Sequence, residues 1–188
     1  GRRLAAAQHE RQTLGLSSIT FSTAAVPALP FEANSCDAVT SRFCLMFLPE
    51  IPKAAAEITR VLKPGAWLAA AVWSAPDKNP YLMIPITVIK QFLDLPQPDP
   101  TAPGIFRLAK PGDLAGMLQQ AGYTHLSEEE FVADVKFPSG EEYYASLMDI
   151  AAPIQNLFAK LSDEQKADAR GRIITSANQY RRIDGIAL

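Results

Sequence analysis

The sequence predicts an α/β fold built on a parallel sheet, and three observations lead there. Two short runs, Asp37–Phe43 and Trp67–Trp73, are rich in apolar and β-branched residues and show little clean alternation, as strands buried on both faces do. Between them, Ile51, Ala54, Ala55, Ile58, Val61 and Leu62 recur at helical spacing and form one apolar face. Lys63-Pro64-Gly65 then closes that helix, with a cation at its negative end and two residues that cannot continue it. Strand, helix and strand in this order form the crossover that parallel strands require. A chain of 188 residues is long enough for one domain with a sizeable core.

The remaining elements follow in chain order. Residues Arg3–Leu14 are alanine-rich and stop at Gly15, which predicts a helix. Ile19-Thr20-Phe21-Ser22 predicts a short strand, and Pro27 and Pro30 force a loop after it. The crossover helix is expected over Pro49–Leu62. A helix near Ile84–Leu93 precedes a loop with four prolines in Pro96–Pro103. Pro111–Ala121 predicts a helix with Leu114, Met117, Leu118 and Ala121 inward and Gly122 at its end. Thr124–Phe137 is expected to be extended. Glu141–Ile150, Pro153–Lys160 and Asp163–Tyr180 are expected to be helical.

Composition narrows the function classes. A formal net charge of −2, with Arg181-Arg182 as the densest basic cluster, argues against a nucleic-acid surface. No apolar run reaches the ~20 residues of a membrane span; the stretch Tyr81–Leu95 is broken by Pro85, Lys90 and Gln91. Cys36 and Cys44 match no zinc spacing and are expected to be small core residues. With no secretory signal at the start, a cytoplasmic setting is the default. His9 and His125 lack a carboxylate partner in sequence and are expected to be solvated. Glu128-Glu129-Glu130 is expected to be a solvated acidic edge, because successive residues of an extended run face opposite sides.

Several short stretches, taken in order, resemble one family. Ala28-Leu29-Pro30-Phe31, the run Cys36–Phe47 opening on Asp37, Arg60-Val61-Leu62-Lys63-Pro64-Gly65, Trp73 at a strand end, and Ala121-Gly122-Tyr123 closing a helix are similar to class I S-adenosylmethionine-dependent methyltransferases of the ubiquinone/menaquinone-biosynthesis type. The resemblance covers roughly Leu4–Ile150. It implies an incomplete Rossmann-like sheet, strands three to six of the order 3-2-1-4-5-7-6. Residues 1–137 are then a partial methyltransferase domain, and 138–188 a helical C-terminal extension that stops before strand seven. It implies S-adenosylmethionine as cofactor and a small, partly hydrophobic methyl acceptor as partner. Ligands of open α/β sheets lie beyond the carboxyl ends of the strands. By resemblance, Ala24, Ala25 and Val26 face the adenine, and Ser41, Arg42 and Phe43 run along the methionine part. Met46, Phe47, Trp73 and the connection Asn79–Pro103, acting as a lid, form the acceptor pocket.

The family's glycine-rich turn and ribose-binding acid have no counterpart, since no Gly-x-Gly pair occurs. At position 25, where the family has an aspartate for the adenine amino group, this chain has Ala25. Two readings stay open at this point. One is an enzyme of which this is an N-terminally truncated fragment, inactive by itself. The other is a degenerate, non-catalytic domain that binds a protein partner or an apolar ligand.

Overall fold

The apolar stripe of the crossover helix organises the first half of the chain. In the computed structural model, which describes residues 2–96, 99 and 101–188, that helix is α2, Ile51–Val61, with Pro52 in its first turn and Ile51, Ala54, Ala55, Ile58 and Val61 all buried. It joins β1, Cys36–Arg42, to β2, Leu62–Ala71, and the strands pair in parallel with Val39 opposite Leu68 and Arg42 opposite Ala71. An irregularity between Cys36 and Ala38 resets the register. A 3-10 turn at Leu45–Phe47 leads from β1 to α2.

One face of this pair packs and the other does not. Cys36, Val39, Ala66, Leu68 and Ala70 lie against a cluster formed by Leu45, Met46, Ile51, Ile58, Leu62 and Leu108. Ala38, Thr40, Trp67, Ala69 and Ala71, on the opposite face, are exposed. Helix α4, Asp113–Gln120, covers α2, and the Tyr123 hydroxyl donates to the Ala55 carbonyl at 3.4 Å. The Arg107 guanidinium donates to the carbonyls of Leu48 and Pro49, fastening the segment that delivers Leu108.

A second core gathers α3 (Pro80–Ile89), α5 (Gly140–Ile150), α6 (Ala152–Phe158) and α7 (Asp163–Asn178). Tyr143, Leu147, Ile173, Ala169 and Ala177 are buried there. Helix α7 starts with a reciprocal cap: Ser162 Oγ accepts from Gln165 N, and Gln165 Oε1 accepts from Ser162 N. Ser139 caps α5 in the simpler way. Since α3 packs among helices beyond residue 140, the expected division at residue 137 does not follow the packing. No helix among the described residues is long and apolar enough to cross a membrane.

The structure corrects several expectations. Ile19–Ser22 forms no strand; it has no paired neighbour, Ile19 and Phe21 are exposed, and its fastening is a bond from Arg11 to the Ile19 carbonyl at 2.7 Å. The expected extended run Thr124–Phe137 is irregular except for β3, Lys136–Phe137. The tail does not end helical: β4 (Arg181–Arg182) and β5 (Gly185–Ala187) follow α7 and build an antiparallel sheet in the order β3-β5-β4. Gly185 makes this possible, with φ 126° and no room for a Cβ against the Phe137 carbonyl. Of the four implied strands three to six, the ones that form as a parallel pair are thus β1 and β2. Cys36 is half-buried and packs at the edge of the sheet-side core, whereas Cys44 is exposed and is not the core residue expected. In the proline-rich loop, Pro98 and Pro100 lie outside the described residues.

Candidate functional site at the carboxyl ends of the parallel strands

Beyond Arg42 the chain turns sharply. Phe43 takes φ 53°, a conformation uncommon for a bulky residue, while its N–H still donates to the Ala71 carbonyl at 2.8 Å. The turn brings its ring flat onto Trp73, with centroids 4.2 Å apart and planes 9° from parallel. Left-handed backbone at such a residue costs about 1–3 kcal/mol. A stacked pair returns about 0.5–1.5 kcal/mol, so stacking offsets only part of it. Trp73 continues to Tyr81 at 6.5 Å, and Tyr81 to Phe137 at 6.1 Å and Tyr143 at 5.8 Å. This row of rings links the sheet to the helical core. The Tyr143 hydroxyl donates to the Tyr81 carbonyl at 2.6 Å, and burial pushes its pKa well above the usual tyrosine value.

The expected site residues fall into distinct places. Ser41 and Arg42 are the last two residues of β1, half-buried and exposed respectively. Phe43 is 37% and Phe47 46% exposed, and both are open to a ligand. Met46 is fully buried in the sheet-side cluster, so it is a core residue and not a pocket wall. The Asn79 amide donates to the Ser74 and Ala75 carbonyls at 2.9 and 2.8 Å, which spends it on the turn after β2. Nor is the connection from Asn79 a free lid, because Ile84, Val88 and Ile89 of α3 are buried in the helical core. Ala24 and Ala25 are exposed and Val26 half-buried, on a turn closed by pairing of Ala25 with Ala28.

Charged groups that sequence patterning missed hold the flanks. Glu57, on α2, accepts from Leu29 N at 2.8 Å and from Arg60, and Arg60 donates to the Leu29 and Phe31 carbonyls at 3.3 and 2.9 Å. The Arg60 hydrogen bonds, followed by that from Leu29, bring the Glu57 pKa down to about 2. Glu130 accepts from Ser74 Oγ at 2.6 Å and from Lys78 Nζ at 2.7 Å, beside Trp73. A shallow groove of about 750 Å³ lies along α4 between Gly112 and Leu126, and none of the expected site residues lines it. No cluster of three or more potential metal ligands occurs among the described residues.

Comparison with known proteins bears directly on this β1–α2–β2 unit. The methyltransferase domain family matches residues 2–70. The demethylmenaquinone methyltransferase of Renibacterium salmoninarum is 46% identical over 63 residues, 34% of this chain and 27% of that one. The ubiquinone/menaquinone biosynthesis C-methyltransferase UbiE of Allorhizobium ampelinum is 43% identical over 75 residues, 39% and 29% of the two chains. Over its first part the chain is thus similar to methyltransferases of the ubiquinone/menaquinone type. A longer match, to UbiE of Brucella canis, is 29% identical over 129 residues and covers 64% of this chain and 48% of that one. The chain therefore spans about half, or less, of the curated methyltransferases it matches. The crystal structure of the YcgJ protein from Bacillus subtilis superposes with a TM-score of 0.50 at 17% identity, covering 86% of this chain and 65% of that one, a likeness of fold.

S-adenosylmethionine requires close backbone approach to its carboxylate and acceptors for its ribose hydroxyls. Of the described residues here, Ser41, Arg42 and the rings of Phe43 and Trp73 are available, while the Glu130 carboxylate is engaged by Ser74 and Lys78. With no Gly-x-Gly pair in the sequence, these residues do not by themselves amount to a site for that cofactor.

Proposed function

We propose that the whole protein transfers a methyl group from S-adenosylmethionine to a small, partly hydrophobic acceptor, and that this chain supplies the acceptor side together with part of the cofactor side. The observation that supports this reading is the ring pair Phe43–Trp73, standing at the carboxyl ends of a parallel pair, with Phe43 inside the stretch that matches methyltransferases and Trp73 just beyond its end. A sulfonium already carries its leaving group, so aligning the acceptor and excluding water is what the protein must contribute. Phe43, Phe47 and Trp73 suit both tasks, being apolar, planar and partly open. Ser41, Arg42 and the Ala24–Val26 turn belong to the cofactor side of the same reading. A cytoplasmic setting, no nucleic-acid partner and no membrane span belong to it as well.

Residues 1–188 alone are expected to bind the cofactor feebly. A charge-assisted hydrogen bond contributes about 1.5–3 kcal/mol, and the family's ribose acid and adenine aspartate together provide three. That loss removes most of a micromolar affinity, which is about 8 kcal/mol. Calorimetric titration of the chain with S-adenosylmethionine or its demethylated product tests this, and micromolar binding would overturn it. A chimera adding, ahead of Arg2, the segment that precedes the matched stretch in the Allorhizobium relative is expected to bind. In that chimera Ala25→Asp should tighten binding by about tenfold, the equivalent of one charged hydrogen bond. The second reading, a non-catalytic domain, draws on exposed Ala25 and on Trp67, 71% exposed; a chimera that fails to bind favours it.

A further inference from the structure

Glu128-Glu129-Glu130 does more than solvate an edge. Glu128 and Glu130 each grip a different part of the molecule. The Glu128 carboxylate accepts from Gly112 N at 2.7 Å and from Ala115 N at 3.1 Å. It thereby caps α4 from a distance, where Gly112 has no side chain to do so. The Glu130 carboxylate accepts from Ser74 Oγ at 2.6 Å and from Lys78 Nζ with both oxygens, at 2.8 and 2.7 Å. The segment Thr124–Val135 is therefore a strap that the two carboxylates fix along its length and that Val135 ties to Leu188 at its end through two backbone hydrogen bonds, with Phe131 and Val132 86% and 83% exposed just beyond Glu130.

The second grip falls on the turn that leaves β2. Ser74 and Lys78 bracket it, Asn79 closes it from within through the Ser74 and Ala75 carbonyls, and Trp73 immediately precedes it. An exposed ion pair alone holds little, but two donors converging on one carboxylate define a geometry.

We propose that Glu130 is a positioning residue for the aromatic wall of the cleft: by holding Ser74 and Lys78 it keeps the turn after β2, and with it the Trp73 ring, stacked against Phe43. Its meaning for catalysis rests on the acceptor-side reading above, whereas the geometry it asserts does not.

The test needs neither cofactor nor acceptor. Trp67→Phe leaves Trp73 as the single tryptophan of the chain, and its near-ultraviolet circular dichroism band reports how rigidly the ring is held. Adding Glu130→Gln should abolish most of that band with the far-ultraviolet spectrum unchanged. Ser74→Ala should weaken it, and Glu130→Asp should restore part of it. Glu129→Gln, which removes a neighbouring charge but neither the Ser74 nor the Lys78 contact, should leave it intact, and Phe43→Leu should abolish it by removing the stacking partner. A band that survives both Glu130→Gln and Ser74→Ala overturns the proposal; if Glu130→Gln loses its far-ultraviolet spectrum, Ser74→Ala decides alone. Titration with 1-naphthol, against its saturated counterpart decahydro-1-naphthol, then addresses the other reading separately. A Trp73 band that depends on Glu130 in a chain indifferent to both compounds upholds the positioning role and counts against the acceptor side.

Discussion

The helical half closes on itself, whereas the parallel pair is covered on one side only. Around Tyr143, Leu147 and Ile173, four helices and β5 leave no apolar side exposed at the centre. Around β1 and β2, α2, the Leu45–Leu48 turn and Leu108 pack one face, with Leu114 and Met117 of α4 against the same cluster, and Trp67 projects from the other. The difference follows from geometry. Helices can wrap a core from every direction, but a sheet has two faces, and a parallel sheet needs cover on both. A two-stranded sheet is a weak foundation by itself, so the sheet half leans on α2, on charged ties at its margins and on the aromatic row that joins it to the helices.

The largest effect expected from this contrast lies in the helical half. Ile173→Ala should destabilise the chain by about 2–5 kcal/mol, because the surroundings cannot collapse into the space it leaves. Ile173 is fully buried within α7, so the loss is of contacts on every side. Urea unfolding followed by far-ultraviolet circular dichroism measures it; a cost below 1 kcal/mol, about that of a lost methylene, would mean that this core is loose.

Next in size is an acid effect at the margin of the sheet half. Glu57 titrates at about 2 when folded, against 4.5 ordinarily, because Arg60 and the Leu29 N–H favour its charged form. A depressed carboxylate contributes stability that is fully present above its unfolded pKa and lost as pH falls through the folded one. Glu57→Gln should therefore lower the unfolding midpoint at neutral pH, and its difference from the parent should shrink between pH 4.5 and 2. A difference that stays constant over that window would show that Glu57 acts by shape and not by charge.

What could be read in advance follows the same division. The crossover unit was legible because both of its signals are local: the stripe Ile51–Leu62 and the break at Lys63-Pro64-Gly65 lie within a few residues of what they determine. The expected burial of Ile51, Ile58, Val61 and Leu62 is observed, as is the parallel pairing. The strand expected at Ile19–Ser22 does not form, because a strand exists through its partner and propensity does not say whether one is present; of the extended run expected over Thr124–Phe137, the part that finds a partner is Lys136–Phe137. The β3-β5-β4 sheet was missed for the converse reason, since Lys136 and Ala187 meet across fifty residues of helix and a glycine turn. At the site, Phe43 and Trp73 were marked by their place at strand ends. Glu130 and Glu57 were not, because their partners Ser74, Lys78 and Leu29 are remote in sequence.

The smallest expected effect is the most discriminating. Trp67 is the largest side chain on the uncovered face of β2, and its ring meets water over most of its surface. If that face is bare in solution, Trp67→Thr exchanges one strand-compatible residue for another and removes no buried contact. The cost should then stay within about 0.5 kcal/mol, as for other surface substitutions, and solubility should improve as an exposed apolar ring is removed. If another surface covers the face, the ring is buried in that state and its removal should cost about 3–5 kcal/mol, the range of a large aromatic truncated in a core. Unfolding midpoints measured at two protein concentrations separate the outcomes, because cover provided by a second copy is stronger at higher concentration. A concentration-independent midpoint that Trp67→Thr leaves in place is the result that a one-sided sheet requires; a large loss would place the two halves of the molecule on the same footing and end the comparison.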